Sequence, residues 1–136
     1  MITEAQPHLC FVGLGSNIDP EENLQRAAML LRKKWPAIRF SSMYRSAARD
    51  YEKQEDFLNA VAMLETTMPP EEAFGALQGM EKELGKKTPF RYGPRVIDLD
   101  LLLYGESVLP SPKEWLSSYS LPTTHYPLFV PHPRMH

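Results

Sequence analysis

The chain has 136 residues, 43% hydrophobic and 24% charged, the make-up of one ordinary soluble domain long enough to bury a core. A formal net charge of −2 argues against a nucleic-acid or membrane partner, and no apolar run approaches a membrane span. One cysteine, Cys10, excludes an internal disulfide and leaves a reducing compartment as the default, so a cytoplasmic protein is expected; a monomer or weak homodimer is a separate expectation.

His8 to Leu14 reads as a short buried strand that Gly15-Ser16-Asn17 ends, with Cys10 an inert buried thiol inside it. A helix follows, with Asp19 at its N-cap, Pro20 at its first position and Glu22 completing a capping box. Leu24, Ala27, Ala28, Leu31 and Trp35 make its apolar face, and Pro36 stops it. Ile38 to Ser46 is expected as a second strand, and Phe57 to Thr66 as a third, joined by a polar loop from Ala47 to Asp56.

The second helix begins near Pro69-Pro70 with Glu71 and Glu72 in its first turn. Ala73, Phe74, Leu77, Met80 and Leu84 form its stripe, and Gly85 is its stop. A loop from Lys86 to Pro94 leads into a fourth strand, Val96 to Tyr104, and Gly105-Glu106 turns towards a return strand at Ser107 to Leu109. From about residue 106 the tail is expected to be irregular, since many of the thirteen prolines fall between Pro110 and Pro133. The order β-α-β-β-α-β predicts a single α+β domain of the ferredoxin-like kind, an antiparallel sheet with both helices on one face.

The chemistry centres on the fourth strand. Alternation puts Ile97, Leu99, Leu101 and Leu103 on the face that meets the helices, which leaves Asp98 and Asp100 together on the other, with Cα atoms roughly 6.6 Å apart. Two carboxylates so close repel unless a cation lies between them, and Mg²⁺ is commonly held by one or two carboxylates plus substrate phosphates. Taken alone, the pair fits two surface acids on a solvated face at least as well. Its neighbours point elsewhere: Lys82, Lys86, Lys87, Arg91 and Arg95 lie close together against only Glu83 of opposite sign. Cations for phosphate oxygens beside carboxylates for metal are the equipment of phosphoryl transfer, although no Gly-x-x-x-x-Gly-Lys-Ser/Thr loop is present.

The run Arg91-Tyr92-Gly93-Pro94-Arg95-Val96-Ile97-Asp98-Leu99-Asp100-Leu101-Leu102 resembles the signature of the 6-hydroxymethyl-7,8-dihydropterin pyrophosphokinases. Gly13-Leu14-Gly15-Ser16-Asn17, Ser42-Met43-Tyr44-Arg45-Ser46, Phe57-Leu58-Asn59-Ala60 and Val130-Pro131-His132-Pro133 agree in order. The resemblance covers about residues 9 to 109, with a weaker echo at 130 to 135, and it implies the same ferredoxin-like fold. It implies transfer of the terminal pyrophosphoryl unit of ATP to the pterin hydroxymethyl oxygen, releasing AMP, in folate biosynthesis. Asp98 and Asp100 would hold two Mg²⁺ ions, Arg95 and Arg91 would bind phosphate oxygens, and Gln78, Glu81, Lys86 and His132 would line the nucleotide site. Asn59 would bond the pterin ring edge, Phe57 and Tyr92 would flank the ring, and Ser46 would begin a loop that folds over it.

Two departures qualify the resemblance. Gly85-Lys86-Lys87-Thr88 stands where the family usually has Gly-Arg-x-Arg, which loses the bidentate guanidinium fork. Family members also continue past the Pro-His motif into a strand carrying another arginine and a second aromatic, so a C-terminal truncation is expected at His136. The alternative is a degenerate member that binds nucleotide or pterin without turnover. An RNA-binding sheet face is disfavoured, because the fourth strand presents aspartates where stacking aromatics would be needed.

Overall fold

The computed structural model describes residues 6–47, 55–85 and 96–106, which form two helices and an antiparallel five-stranded sheet. The elements in chain order are β1 (His8–Ser16), α1 (Pro20–Lys34), β2 (Arg39–Phe40), β3 (Tyr44–Ser46), β4 (Phe57–Thr66), α2 (Pro70–Glu83) and β5 (Asp98–Tyr104). The sheet runs β2-β4-β1-β5, with β3 beside β2 on the edge of β4. Both helices pack on the same face, α1 against β1 and β4, and α2 against β5.

Period-2 and period-3.6 patterns meet in the core. Cys10, Val12 and Leu14 of β1, Leu58, Ala62 and Leu64 of β4, and Leu99 and Leu101 of β5 face the helices. They receive Leu24, Ala27, Leu31 and Trp35 from the α1 side, and Leu77, Met80 and Leu84 from the α2 side. Burying each of the larger aliphatic side chains here contributes about 1.5–3 kcal/mol. Gly85 follows the second helix at φ +85°, a conformation that L residues rarely adopt, and so ends it where expected.

Four expectations need correction. The first strand runs on through Gly15 to Ser16, because both residues pair with β4. The expected second strand is two pieces. Phe40 pairs with Ala62 and Tyr44 with Asn59, so one extra residue has entered the edge. Ser41 makes the break: its N–H donates to Val61 O at 2.8 Å, and its hydroxyl accepts from Val61 N at 2.9 Å. Such a bulge reverses the phase of the strand beyond it, which turns Tyr44 and Ser46 to the sheet face away from the helices.

A second bulge lies in β5. Val12 opposes Leu101 and Phe11 opposes Leu103, leaving Leu102 extra. Beyond it the phase shifts, so Tyr104 is buried at 3% exposure while Leu103, expected in the core, is only half-buried. The hydroxyl of Tyr104 donates to Met68 O. Finally, Asp19 and Pro20 do begin α1, but no capping box forms. Asp19 adopts a left-handed conformation, φ 41° and ψ 54°, and its side chain makes no cap hydrogen bond among the described residues. Asn23 closes the turn instead: its backbone N–H donates to Asp19 O at 3.0 Å and its amide to Ile18 O at 2.5 Å.

Candidate active site

The sheet face opposite the helices is organised by strand register. Residues directly opposed across an antiparallel pair share a face, and the row Tyr44, Asn59, Gly15, Asp98 crosses β3, β4, β1 and β5 in that order. A parallel row one step along carries Val61, Gly13 and Asp100. On the other side of the first row, Ser46 opposes Phe57. Five residues singled out from sequence, Asp98, Asp100, Asn59, Phe57 and Ser46, therefore stand on one face.

Asp98 and Asp100 are half-buried beside Leu99 and Leu101, which point into the core, so the alternation read from sequence holds here. Both aspartates oppose glycines of β1, so no Cβ rises next to them from that strand. Among the described residues no group of three or more His, Cys, Asp or Glu side chains is gathered that could hold a metal. Two hard carboxylates on one sheet face fit Mg²⁺, which completes its oxygen shell with water and phosphate.

Asn59 is held from the β3 side. Its Nδ2 donates to Ser46 Oγ at 2.8 Å and to Tyr44 O at 3.3 Å. Both amide hydrogens are thus engaged, and Oδ1 faces Gly15. The group left for a ligand is the amide oxygen, an acceptor. Phe57 is half-buried on this open face, not in the core where an aromatic on a strand is usually found.

Two expected residues lie on α2. Gln78 is exposed. Glu81 is buried, at 9% exposure, and its Oε2 accepts from Leu99 N at 2.9 Å. A carboxylate thus bonds the backbone between Asp98 and Asp100 and ties α2 to that strand. The signal was available: Glu81 stands four residues after Leu77 and three before Leu84, inside the apolar stripe, where an acid must find a donor. Arg91, Tyr92, Arg95, Lys86 and His132 lie outside the described residues. Two neighbours escaped the sequence reading as site components. Tyr44 was hidden by the bulge at Ser41, and Gly15 was read as a strand end.

Cys10 sits on the core side of β1 at 1% exposure, and burial pushes its thiol up to about 11, as befits an inert cysteine. No helix of the described residues is long and apolar enough to cross a membrane.

Known proteins resemble this chain over most of its length. The family model described as 7,8-dihydro-6-hydroxymethylpterin-pyrophosphokinase matches residues 11–136, through the tail where the sequence reading found only an echo. The chain is 33% identical over 132 residues to the 2-amino-4-hydroxy-6-hydroxymethyldihydropteridine pyrophosphokinase of Bacillus subtilis, covering 95% of this chain and 71% of that one. Proteins of the same name from Pseudomonas aeruginosa and Aquifex aeolicus are 36% and 37% identical. Those matches cover 88% and 73% of this chain, and 75% and 62% of the relatives.

Proposed function

The chain belongs to the 7,8-dihydro-6-hydroxymethylpterin-pyrophosphokinase family, and we propose that it transfers the pyrophosphoryl group of ATP to the hydroxymethyl oxygen of 6-hydroxymethyl-7,8-dihydropterin in folate biosynthesis. The hydroxymethyl oxygen attacks the β-phosphorus, the bond from that phosphorus to the α,β-bridging oxygen breaks, and AMP leaves as the hydroxyl loses its proton. The observation that carries this reading is the shared row: an amide acceptor at Asn59, a bare backbone at Gly15 and a carboxylate at Asp98, with Asp100 beside it.

Asp98 and Asp100 are the metal ligands in this reading. Two bound Mg²⁺ ions would supply charge neutralisation for the triphosphate and orientation of the attacking hydroxyl. Glu81 holds the strand that presents both carboxylates. Asn59, fixed by Ser46 and Tyr44, holds the ring edge, and Phe57 supports a ring face. In the same reading Arg91, Arg95, Lys86 and His132 contact phosphate, Tyr92 contacts the ring, and Gln78 lies by the nucleotide. Residues 1–136 act as one pyrophosphokinase domain, cytoplasmic and monomeric or weakly dimeric, with no nucleic-acid or membrane partner.

The test is product identity. With Mg²⁺, ATP and the hydroxymethylpterin, phosphorus NMR should show AMP and a pterin-bound pyrophosphate in equal amounts. Release of ADP and phosphate, or Mg²⁺-dependent ATP binding without AMP, would overturn the reading.

A further inference from the structure

Gly15 stands in the middle of the row from Asn59 to Asp98, and nothing about its backbone demands glycine. The positive-φ glycines of the described residues are Gly85 and Gly105; Gly15 has ordinary strand geometry. A glycine inside a strand weakens it, and where no turn or bulge calls for one it marks a place that another group approaches closely. No bulge falls at Gly15: its pairing is continuous with β4 on one side and with β5 on the other.

Space is what excludes a side chain. A Cβ at Gly15 would come within 3.2 Å of Asn59 Oδ1 and 3.8 Å of Phe57 Cδ1. It would therefore fill the place onto which Asn59 turns its acceptor and Phe57 its ring edge. To make room Asn59 would have to shift by a few tenths of an ångström against its bonds to Ser46 and Tyr44. Gly13 is different. Its Cβ would meet only the end of the Leu102 side chain, at 3.4 Å, and that side chain can turn aside.

The dimensions point the same way. Two strand spacings separate Asn59 from Asp98, about 9.5 Å from backbone to backbone. A fused two-ring heterocycle with a one-carbon arm has about that reach. Resting on the reading above that the substrate is a hydroxymethylpterin, we infer that Gly15 is a specificity-determining residue. Its bare backbone is the floor over which the ring passes, from a ring N–H donating to Asn59 Oδ1 at one end to the hydroxymethyl arm beside Asp98 at the other. A side chain at position 15 shuts this passage on its Asn59 side, since its Cβ would meet Asn59 Oδ1 and Phe57 and comes within 4 Å of neither aspartate.

The experiment compares wild type with Gly15→Ala by calorimetric titration of pterin and of Mg-ATP, and by steady-state AMP formation. The expected result is a rise of about tenfold or more in Kd and KM for the pterin, with the Kd for Mg-ATP changed by less than about twofold. Unchanged pterin affinity would overturn the inference, as would equal losses for both ligands, which would mean a distorted sheet. Should the variant fold poorly, the wild type decides: saturating pterin should shift the Gly15 amide and Hα resonances through the ring current, and unmoved Gly15 resonances would refute the passage. If wild type itself turns over no pterin, the parent reading fails, which is a distinct result from active wild type with an indifferent Gly15→Ala.

Discussion

Replacing Glu81 by alanine should loosen the strand that carries both aspartates. The bond from Leu99 N to Glu81 Oε2 is 2.9 Å long and buried, and it joins α2 to the segment between Asp98 and Asp100. Truncation leaves a backbone N–H without its acceptor, at a cost of about 2 kcal/mol for a bond to a charged group. For a domain of this size that is a fall in Tm of roughly 8 °C. Glu81→Gln keeps an acceptor oxygen in place and should recover most of the loss, since an amide C=O can take the same N–H. The assay is urea unfolding followed by circular dichroism, with the Mg²⁺ concentration for half-maximal AMP formation measured beside it. Glu81→Ala should raise that concentration and Glu81→Gln should raise it less. An alanine variant as stable as wild type, with unchanged Mg²⁺ dependence, would refute the role given to this bond.

Further outcomes follow from the same geometry. Gly75→Ala should stabilise the domain by about 0.5–1 kcal/mol, read as a higher urea midpoint, because a Cβ there meets nothing within 4 Å and glycine is costly inside a helix. Tyr104→Phe should cost about 1–2 kcal/mol in the same assay, since Met68 O would lose its buried donor. Cys10 should resist a thiol reagent at neutral pH until the chain unfolds. Its ordinary pKa of 9.0 rises to about 11 on folding, so between those values the unfolded chain has lost a proton that the folded one keeps. Its contribution to stability is therefore whole below pH 9 and is lost as the pH climbs towards 11, and Cys10→Ala should flatten that decline in alkaline unfolding curves.

Much of the fold could be read from residues, because hydrophobic periods agree with local stop signals. Leu24, Ala27 and Leu31 mark one helix face, Ala73, Leu77 and Met80 the other, and the apolar run from Phe57 to Leu64 marks β4. The misreadings share a cause in phase. Leu101-Leu102-Leu103 is apolar on both faces, so no alternation remained to reveal the bulge that puts Tyr104 in the core. The bulge at Ser41 carries no Gly or Pro; it depends on Ser41 answering both backbone groups of Val61, a partner twenty residues away. Asp19 has the residue type of a cap, yet its backbone is left-handed and its side chain makes no cap hydrogen bond among the described residues, while Asn23 bonds Ile18 O.

The candidate site divides along the same line. Asp98 and Asp100 were placed together by alternation alone, because Leu99 and Leu101 fix the phase on either side. The row that sets Asn59 and Asp98 on either side of Gly15 is a matter of register between three strands, and register between distant segments leaves no mark in any one of them. The engagement of both Asn59 amide hydrogens depends on the Ser41 bulge, and so was equally out of reach.

The most direct measurement is AMP formation by Asp98→Asn and Asp100→Asn, each checked by circular dichroism to be folded. Neither side chain belongs to the core face, and asparagine keeps the shape while removing the charge that holds Mg²⁺. Each variant should retain native structure and lose about 10³-fold or more in turnover with Mg-ATP and the hydroxymethylpterin. Folded variants that both make AMP at close to the wild-type rate would contradict the assignment of this pair as the metal centre.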